Sequence, residues 1–370
     1  MKSADIYQVF ASAAQTAAEF GRPGPMCTLC SALRPSRDDY AFHDELADPA
    51  GLMQTPNDLP VASVEDMAFY LYWDNFIDWG WSTGTKWDVA PGGTITYNIS
   101  RLDEVGQEAA RAAFQSWTNV TGIVFEEVSG GLADITFTDR EDGAYAITRP
   151  FDNPTISSAS INVASSWYDN AWYGDADYYY TTFIHEIGHA LGLGHAGFYN
   201  GWANYPTDAT WANDSWQLTV MSYFSQTDNT YVDASFAYNT TPMLADIYAM
   251  HQMYGVPDNV FAGDTTYGYN ATEGTVDFFG SDFAYAGAGP YTFAIYDSSG
   301  TDLIDLSLSD YDQRLDLNDG TYSDIEGLVG NFGIAIGAVI ENAATGSGDD
   351  SVTGNAAANE VSTGAGNDSV

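Results

Sequence analysis

The sequence predicts a protein of more than one domain, in which an α/β domain is followed by an all-β domain. The chain has 370 residues, which exceeds the length of one ordinary domain. Over residues 61–256, segments of helical periodicity alternate with segments of strand periodicity, which is typical of α/β domains. Beyond Pro257 the helical signals disappear. A nine-residue period near the C-terminus relates Asp350, Asn359 and Asp368, which indicates a stacked β-helix or β-roll.

Local sequence accounts for the elements of the α/β segment. Ser63 is a good N-cap, and the acidic and then apolar residues after it predict a helix over 63–76. Residues 103–120 are alanine-rich, with apolar residues at helical spacing. A further helix is predicted within 241–257, where glycine and proline end it. Strands are predicted where residues alternate or are β-branched, at 94–100, 133–139, 143–149 and 159–167.

Charge restricts the partners. The chain carries 51 acidic and 10 basic residues, for a net charge of −41. Nucleic acids and anionic membranes bind clustered lysine and arginine, so we expect neither as a partner. The acidic excess suits divalent cations or a salty medium, and solubility by self-repulsion explains it equally well. We expect a monomer.

The N-terminal residues are predicted to lie outside both domains. We divide the chain into a propeptide-like extension at 1–60, a domain at 61–256 and a domain at 257–370. The N-terminus favours an amphipathic helix and lacks the uninterrupted apolar stretch of a signal peptide. No apolar run approaches the ~20 residues of a membrane-spanning helix.

Three of the five histidines lie within eleven residues, in the stretch HEIGHALGLGH. His185 and His189 are four residues apart, so on a helix they share one face. A catalytic zinc ion needs a third protein ligand, for which His195 is the candidate. Gly192 allows the chain to turn back and bring His195 to the same ion. Glu186 is placed to act as a base on a metal-bound water without itself binding the metal.

A helix whose histidines are merely buried and hydrogen bonded is the alternative explanation of this stretch. For a lone histidine that explanation is the better one. Here five fixed residues occur together as H-E-x-x-H-x-x-G-x-x-H. Their chance frequency in a chain of this length is on the order of one in 100,000. The spacing therefore favours a catalytic metal site.

The stretch resembles the zinc signature of the metzincin metalloproteases, and in particular that of their serralysin branch. The sequence LTVMSYFS at 218–225 resembles the Met-turn of these enzymes, which implies that Met221 lies beneath the metal site. The resemblance covers roughly residues 61–370. Where the family usually has His-Pro-Gly, this chain has alanine after His195, which should change the stiffness of the loop and leave the ligand in place.

The resemblance implies a metzincin catalytic domain, with a mixed twisted sheet and long helices, followed by a parallel β-roll. One catalytic zinc ion is implied on the three histidines, with Glu186 as general base and then acid in peptide hydrolysis. Tyr223 is implied as a fifth zinc ligand at rest, which swings out to donate a hydrogen bond in the transition state. An extended substrate is expected along an edge strand near 143–149, with broad sequence tolerance.

The C-terminal period predicts calcium binding. Glycine-rich turns with aspartate at fixed offsets present the oxygen ligands that calcium prefers. Rows 345–353 and 363–370 fit the repeat G-G-x-G-x-D-x-U-x, whereas row 354–362 is degenerate. A flexible glycine- and asparagine-rich tail is the alternative. In a β-roll like that of serralysins the two good rows stack on one side, so the predicted calcium ligands are Gly346, Gly348, Asp350, Gly364, Gly366 and Asp368.

Further features follow from the resemblance. Several structural calcium ions are expected, because segments upstream resemble the junction region of serralysins. Secretion without an N-terminal signal, through a one-step channel, is also implied. The last row stops one residue short of nine, whereas serralysins continue, so we expect an incomplete C-terminal domain. The upstream calcium ligands implied are Gly263, Thr265, Asp297, Gly300, Asp302 and Glu341.

Cys27 and Cys30 form a C-x-x-C pair within the N-terminal extension. A thiolate is a good zinc ligand and could occupy the open position of the metal in a latent precursor. Our hypothesis is that one of these cysteines blocks the site. A local disulfide, a small separate metal site and two free thiols are the alternatives, because a lone C-x-x-C is a weak signal.

We thus expect a secreted zinc endopeptidase. The alternatives are a calcium-binding, adhesin-like protein with an inactive metal site, and a zinc enzyme of another reaction such as hydration. Glu186 favours peptide hydrolysis, because that reaction needs a proton shuttle beside the metal. The pair Met221 and Tyr223 favours it as well.

Overall fold

A computed structural model describes residues 56–169, 176–275 and 289–370, and in them an α/β region precedes a region of short strands. A 3-10 turn (Pro56–Asp58) precedes the first helix, and a π-helical turn (Tyr70–Asp74) separates the first two. None of the helices in these residues is long and apolar enough to cross a membrane. The α-helices are α1 (Val64–Phe69), α2 (Asn75–Asp78), α3 (Glu104–Thr121), α4 (Ser166–Asp169), α5 (Ala176–Ala190) and α6 (Leu244–Tyr254).

Five strands form the sheet of the α/β region, in the order β2-β1-β3-β5-β4. Neighbouring strands pair in parallel, except β4 and β5, which are antiparallel. The mixed α/β arrangement predicted from the sequence is therefore confirmed, and the strand predicted at 143–149 lies at the edge of the sheet. The strands are β1 (Thr94–Asn98), β2 (Val124–Glu127), β3 (Ile135–Thr138), β4 (Ala144–Arg149) and β5 (Ser158–Val163).

The long helix α3 holds α5 in place. It begins after the N-cap Asp103, whose carboxylate accepts a hydrogen bond from Gly106 N, and it ends at Gly122 in the left-handed conformation. Trp117 on α3 is fully buried, and its indole N–H donates to Ile184 O of α5 at 3.1 Å. The helix that carries two of the predicted metal ligands is thus tied to the core.

Side chains from other segments donate hydrogen bonds to the carbonyl groups at the C-terminal end of α5. The indole N–H of Trp87 donates to Ala190 O at 2.9 Å, and the hydroxyl of Tyr254 donates to Leu191 O at 2.6 Å. These carbonyls have no partner within the helix, so the two side chains complete its last turn. Gly192 follows with a φ of 103°, and there the chain leaves the helix direction.

The C-terminal region is built from short strands, in agreement with the sequence-based expectation of a strand-rich region. Two sheets are wholly parallel, with the orders β15-β13-β9-β7 and β10-β14, and a third has the order β11-β12-β8-β6. In the third sheet only β11 and β12 pair antiparallel. The strands are β6 (Tyr238–Asn239), β7 (Thr266–Gly268), β8 (Tyr291–Ile295), β9 (Leu303–Asp305), β10 (Arg314–Asp316), β11 (Tyr322–Ser323), β12 (Phe332–Ile334), β13 (Asn342–Ala344), β14 (Ser351–Thr353) and β15 (Glu360–Ser362).

Strand β6 connects the two regions. It precedes α6 in the sequence, yet it pairs in parallel with β8 of the strand-rich region. Helix α5 bonds to the same segment: Thr181 Oγ1 donates to Asn239 O at 2.9 Å, and the hydroxyl of Tyr180 donates to O of the next residue, Thr240, at 3.1 Å. Backbone pairing and side-chain hydrogen bonds thus join the metal-ligand helix to the strands that follow it.

The sequence missed some local features. The helix predicted over 63–76 is interrupted by the π-helical turn, which no residue pattern announced. Strands β2 and β6 were not predicted, because the sequence VFEE of β2 does not alternate and the two residues of β6 are too few to establish a period of two.

We expect Gly192→Ala to lower the free energy of unfolding by about 3 kcal/mol or more, because a Cβ there would collide with Thr85 O while the backbone stays in a left-handed conformation. Gly80→Ala is the matched control, since Gly80 also has a positive φ but has open space around it, and it should cost about 1 kcal/mol. Urea unfolding measures both. Equal losses in the two variants would contradict the steric argument.

Candidate metal centre

Helix α5 and the turn after it bring three imidazoles together. His185 and His189 lie on one face of α5, and His195 follows the turn at Gly192. One nitrogen from each ring lies within 4.8 Å of the others, and His189 Nε2 is 3.0 Å from His195 Nε2. The structure thus groups the three histidines that the spacing predicted.

Backbone carbonyls orient the rings. Nδ1 of His185 lies 2.8 Å from Val220 O, and Nδ1 of His189 lies 2.7 Å from Leu193 O. His195 is hydrogen bonded to the backbone of Tyr199. A carbonyl oxygen can only accept, so Nδ1 of the first two rings carries the proton, and Nε2 is left with the lone pair that a metal needs.

Burial keeps these imidazoles neutral. It lowers the pKa of His189 to about 4, and it lowers the pKa values of His185 and His195 well below the ordinary value, with neighbouring imidazoles adding to the effect. Neutral imidazole is the form that binds metals. His185 Nε2 is buried without a hydrogen-bond partner among the described residues. A buried, unused acceptor of this kind fits a metal ion.

Glu186 follows His185 on α5 and is fully buried. Neither of its carboxylate oxygens has a hydrogen-bond partner within the described parts of the chain. Burial raises the pKa of this carboxyl well above its usual range. A carboxylate buried without donors is costly, and a nearby cation offsets that cost. The environment therefore suits a group that meets a metal-bound water.

Met221 lies directly beneath α5. It is fully buried, and its Sδ would be 2.7 Å from a Cβ built on Gly188. Asp246 of α6 holds this turn, because it accepts hydrogen bonds from Thr219 Oγ1 at 2.5 Å and from Val220 N at 2.8 Å. Sequence reasoning missed Asp246, although an aspartate among the apolar residues of TPMLADIYAM was a visible signal.

Tyr223 lies against the histidine cluster. Its ring centroid is 4.6 Å from that of His195 and 6.1 Å from that of His185. The phenol is half-buried, and its oxygen accepts a hydrogen bond from Gly201 N at 3.3 Å. The structure therefore places Tyr223 beside the predicted ligands.

Comparison with protein-family models assigns both regions of the chain. Residues 86–201, which include the three histidines, match the family model named Matrixin. Residues 258–370 match the model named Peptidase M10 serralysin C terminal. A third model, Peptidase M66, matches residues 171–256.

Whole-sequence comparison finds close relatives. Metalloprotease AprA of Pseudomonas entomophila is 37% identical over 272 residues, which cover 70% of this chain and 55% of that protein. The chain belongs to the serralysin-type metzincin metalloproteases. Serralysin B of Dickeya chrysanthemi is 39% identical over 68% of this chain and 53% of its own length, and a serralysin of Photorhabdus luminescens is 37% identical over 71% and 55%. The chain thus spans about half the length of these relatives.

In this serralysin-type chain, β4 has a paired neighbour strand on one side only among the residues that the structure describes. Ala164 N donates to Gly143 O at 3.0 Å, which sets the phase of the antiparallel pairing with β5. Because hydrogen-bonded and non-bonded positions alternate, the backbone groups of Ala144, Ala146 and Thr148 point away from β5. Ala144 is fully buried, whereas Ala146 and Thr148 are half-buried, so the backbone groups of these two residues can reach a further extended strand.

The predicted calcium ligands of the serralysin C-terminal region lie in stacked turns. Asp350 N donates to Asp368 Oδ1 at 3.0 Å, so the two good rows are neighbours. Thr265 N donates to Asp302 Oδ1 at 2.8 Å, and Asp302 N donates to Glu341 Oε2 at 2.9 Å. Glycine is required at the closest approaches, because a Cβ on Gly346, Gly348, Gly300, Gly364 or Gly366 would collide with a carbonyl oxygen of the preceding row.

Two carboxylate oxygens in these turns fit a cation. Asp302 Oδ2 and Asp350 Oδ2 are buried without hydrogen-bond partners among the residues that the structure describes. Burial raises the pKa of Asp302 to about 7 and that of Asp297 to about 6. Asp297 Oδ2 accepts from the hydroxyl of Tyr267 at 2.8 Å. Unpaired, buried oxygens beside carbonyls match the donor set of calcium.

A row that the sequence analysis missed lies below these turns. Ser309, Tyr311 and Gln313 occupy the places that Gly346, Gly348 and Asp350 take in the next row, because Gln313 N donates to Asp350 Oδ1 at 2.8 Å. Each of these residues precedes its counterpart by 37 positions but differs from it in type, so the sequence carried no signal that could have found the row.

In the degenerate row 354–362, side-chain amides donate hydrogen bonds to backbone carbonyls of neighbouring rows. Asn359 Nδ2 donates to Glu341 O at 2.9 Å, and Asn355 Nδ2 donates to Ile340 O at 2.8 Å and to Leu317 O at 3.0 Å. These amide N–H groups meet carbonyl oxygens of the kind that calcium binds elsewhere. Because the amide of Asn359 already binds Glu341 O, no calcium ion is required to neutralise this carbonyl group.

Cys27, Cys30 and most of the extension at 1–60 lie outside the described residues. Their predicted role in latency stays a prediction.

We expect this serralysin-type chain to keep its zinc at pH 6, because burial holds the pKa of His189 near 4 and lowers the other two, so protons compete with the metal only at lower pH. Zinc content after dialysis should be equal at pH 8 and pH 6 and should fall as the pH approaches 4. His251→Gln, which changes a ring bonded to Val120 O, should give the same profile. Loss of zinc with a midpoint near 6.5, the ordinary histidine value, would contradict the expectation.

Proposed function

We propose that this protein is a zinc endopeptidase that cleaves extended peptide segments. The observation that carries the proposal is a pair of features. Three neutral imidazoles each place one nitrogen within 4.8 Å of the others, and beside them lies a buried glutamate whose oxygens have no hydrogen-bond partner in the described residues. Membership of the serralysin-type metalloproteases supports it. A binding protein with an inactive metal site would have no use for Glu186, whose burial without donors is costly.

The three Nε2 atoms of His185, His189 and His195 would hold the zinc ion. Zinc bound there supplies a Lewis acid that acidifies a water and polarises a carbonyl group. Glu186 takes a proton from the attacking water and then delivers it to the leaving amine. Tyr223 lies beside His195, and its hydroxyl oxygen accepts from Gly201 N. This hydroxyl would help to hold the zinc ion as a fifth ligand at rest, and would donate to the oxygen of the reacting carbonyl after it has moved away.

We further propose that the substrate binds antiparallel or parallel to β4 as an added strand. Ala146 and Thr148, which are half-buried, supply outward backbone groups, so affinity comes from main-chain hydrogen bonds. Recognition of this kind depends little on side chains and suits broad tolerance of peptide sequence.

The domain division is part of the proposal. Residues 1–60 would be a propeptide-like extension, 61–256 the catalytic domain, and 257–370 a parallel β-roll stabilised by calcium. Parallel pairing of β7, β9, β13 and β15 and the stacked glycine turns support the roll. Secretion is proposed with it, because calcium sites of modest affinity fill outside cells. Cys27 or Cys30 would block the metal in a latent form.

We expect Glu186→Gln to lower kcat on casein by about 10²–10⁴-fold, the usual contribution of a general base, with zinc content unchanged. Glu273→Gln removes an exposed carboxylate of the same type and should leave kcat unchanged. Casein digestion with and without a chelator measures the effect. Equal activity of the wild type and Glu186→Gln would refute the proposed function.

We expect Asp350→Asn to reduce the rise in Tm that calcium produces, because Asp350 Oδ2 is a buried oxygen with no partner in the described residues. Asn359→Ala is the contrasting variant: it removes the amide hydrogen bond to Glu341 O and should lower the Tm equally with and without calcium. Thermal unfolding across a calcium titration distinguishes the two. A wild-type calcium response in Asp350→Asn would argue against an ion at this row.

A further inference from the structure

A buried carboxylate lies behind the histidine cluster, in contact with two loops that both reach the candidate metal site. Asp214 is fully buried. Its Oδ2 accepts a hydrogen bond from the hydroxyl of Tyr199 at 3.0 Å, and its Oδ1 accepts one from Ser222 Oγ at 2.6 Å. Tyr199 belongs to the loop after His195, and Ser222 lies between Met221 and Tyr223. Asp214 therefore joins the loop of the third histidine to the Met-turn.

Tyr199 contacts both functional side chains. Its ring centroid is 5.7 Å from that of His195 and 4.8 Å from that of Tyr223, with both ring pairs inclined by about 35° or less. Its backbone is hydrogen bonded to the His195 ring, and its hydroxyl oxygen accepts from Tyr223 N at 3.3 Å. One residue thus fixes the orientation of His195 and the backbone position of Tyr223.

The segment that carries Asp214 is itself held. Asn229 Nδ2 donates to Asp214 O at 2.7 Å and to Ala212 O at 3.0 Å. The ion pairs among the described residues, Arg111 with Glu127 and Arg314 with Asp324, do not involve Asp214. Burying a carboxylate whose hydrogen-bond donors are hydroxyl groups costs more free energy than burying an apolar residue of similar size. Stability of the loop alone therefore does not explain an aspartate at this position. Positioning is the better explanation.

We propose that Tyr199 and Asp214 are positioning residues that set the distance between the third metal ligand and the Tyr223 hydroxyl. The proposal rests on the proposed function, because it assigns Tyr223 to the reacting carbonyl. His195 and Tyr223 are 28 residues apart in the sequence, and their ring centroids lie 4.6 Å apart. Their relative position is held through Tyr199 and, behind it, through Asp214.

Tyr199→Phe is the principal test. It keeps the ring that lies against His195 and Tyr223 and removes the oxygen that binds Asp214 and Tyr223 N. We expect kcat on a peptide substrate to fall about 10- to 100-fold, while KM changes less than twofold, because the hydroxyl of Tyr223 is displaced from the reacting carbonyl and β4 is not. Tyr205→Phe is the matched control, because it deletes another loop hydroxyl, which donates to Ala212 O at 2.8 Å, and kcat should be unchanged.

A double-mutant cycle separates positioning from general loosening. If Tyr199 acts through Tyr223, Tyr199→Phe has no further effect on kcat in a Tyr223→Phe background. Additive losses in the double variant would overturn the proposal. If Glu186→Gln retained wild-type activity, the proposed function itself would fail, and that result does not depend on Tyr199.

A second measurement does not use activity. Asp214→Asn keeps the size of the side chain and weakens its acceptance from Tyr199 and Ser222, so the loop of His195 loosens. We expect zinc affinity, measured by competition with a chelator, to fall about 10- to 100-fold, as for other residues behind a metal ligand. The Tyr205→Phe control should keep wild-type affinity. Unchanged zinc affinity in folded Asp214→Asn, together with unchanged kcat, would overturn the role assigned to Asp214.

Discussion

The burial of three imidazoles whose other nitrogens are hydrogen bonded to the backbone is the constraint on which the rest of this structure depends. Desolvation holds the rings neutral, and the carbonyls of Val220 and Leu193 fix which nitrogen faces the cluster. A carbonyl can orient a ring only if its own segment is rigid. The Met-turn is rigid because Asp246 holds it, and the turn after α5 is rigid because the amide of Asn75 donates to Gly197 O at 3.0 Å. The α/β region thus supplies fixed carbonyl groups for the histidines.

The sequence alone was sufficient to predict the features that depend on the local spacing of residues. His185, His189 and Gly192 lie within eight residues, and helix geometry with one left-handed glycine determines how they meet. The edge position of β4 was predicted by resemblance, and the sheet order bears it out. Rows separated by eighteen residues were also visible, because each keeps its glycines.

Other parts could not be predicted, for physical reasons. Asp246 and Asp214 act through hydrogen bonds to turns in other segments, and no periodicity reports such contacts. An aspartate in an apolar helix marks a buried partner without saying which one. The row at Ser309, Tyr311 and Gln313 lacks the residues of the repeat, since its carbonyls, rather than its side chains, face the next row. Contacts of this kind become visible only in three dimensions.

The two-residue strand β6 has a consequence for cooperativity. It pairs with β8 on one side, and its Asn239 O accepts from Thr181, four residues before His185 in α5. Two regions that share backbone pairing unfold as one cooperative unit more readily than two domains that only a flexible linker joins. Any ligand that favours the folded strands therefore lowers the population of molecules in which α5 is loose, by mass action alone. An ion bound far from the histidines would in this way protect them from local opening.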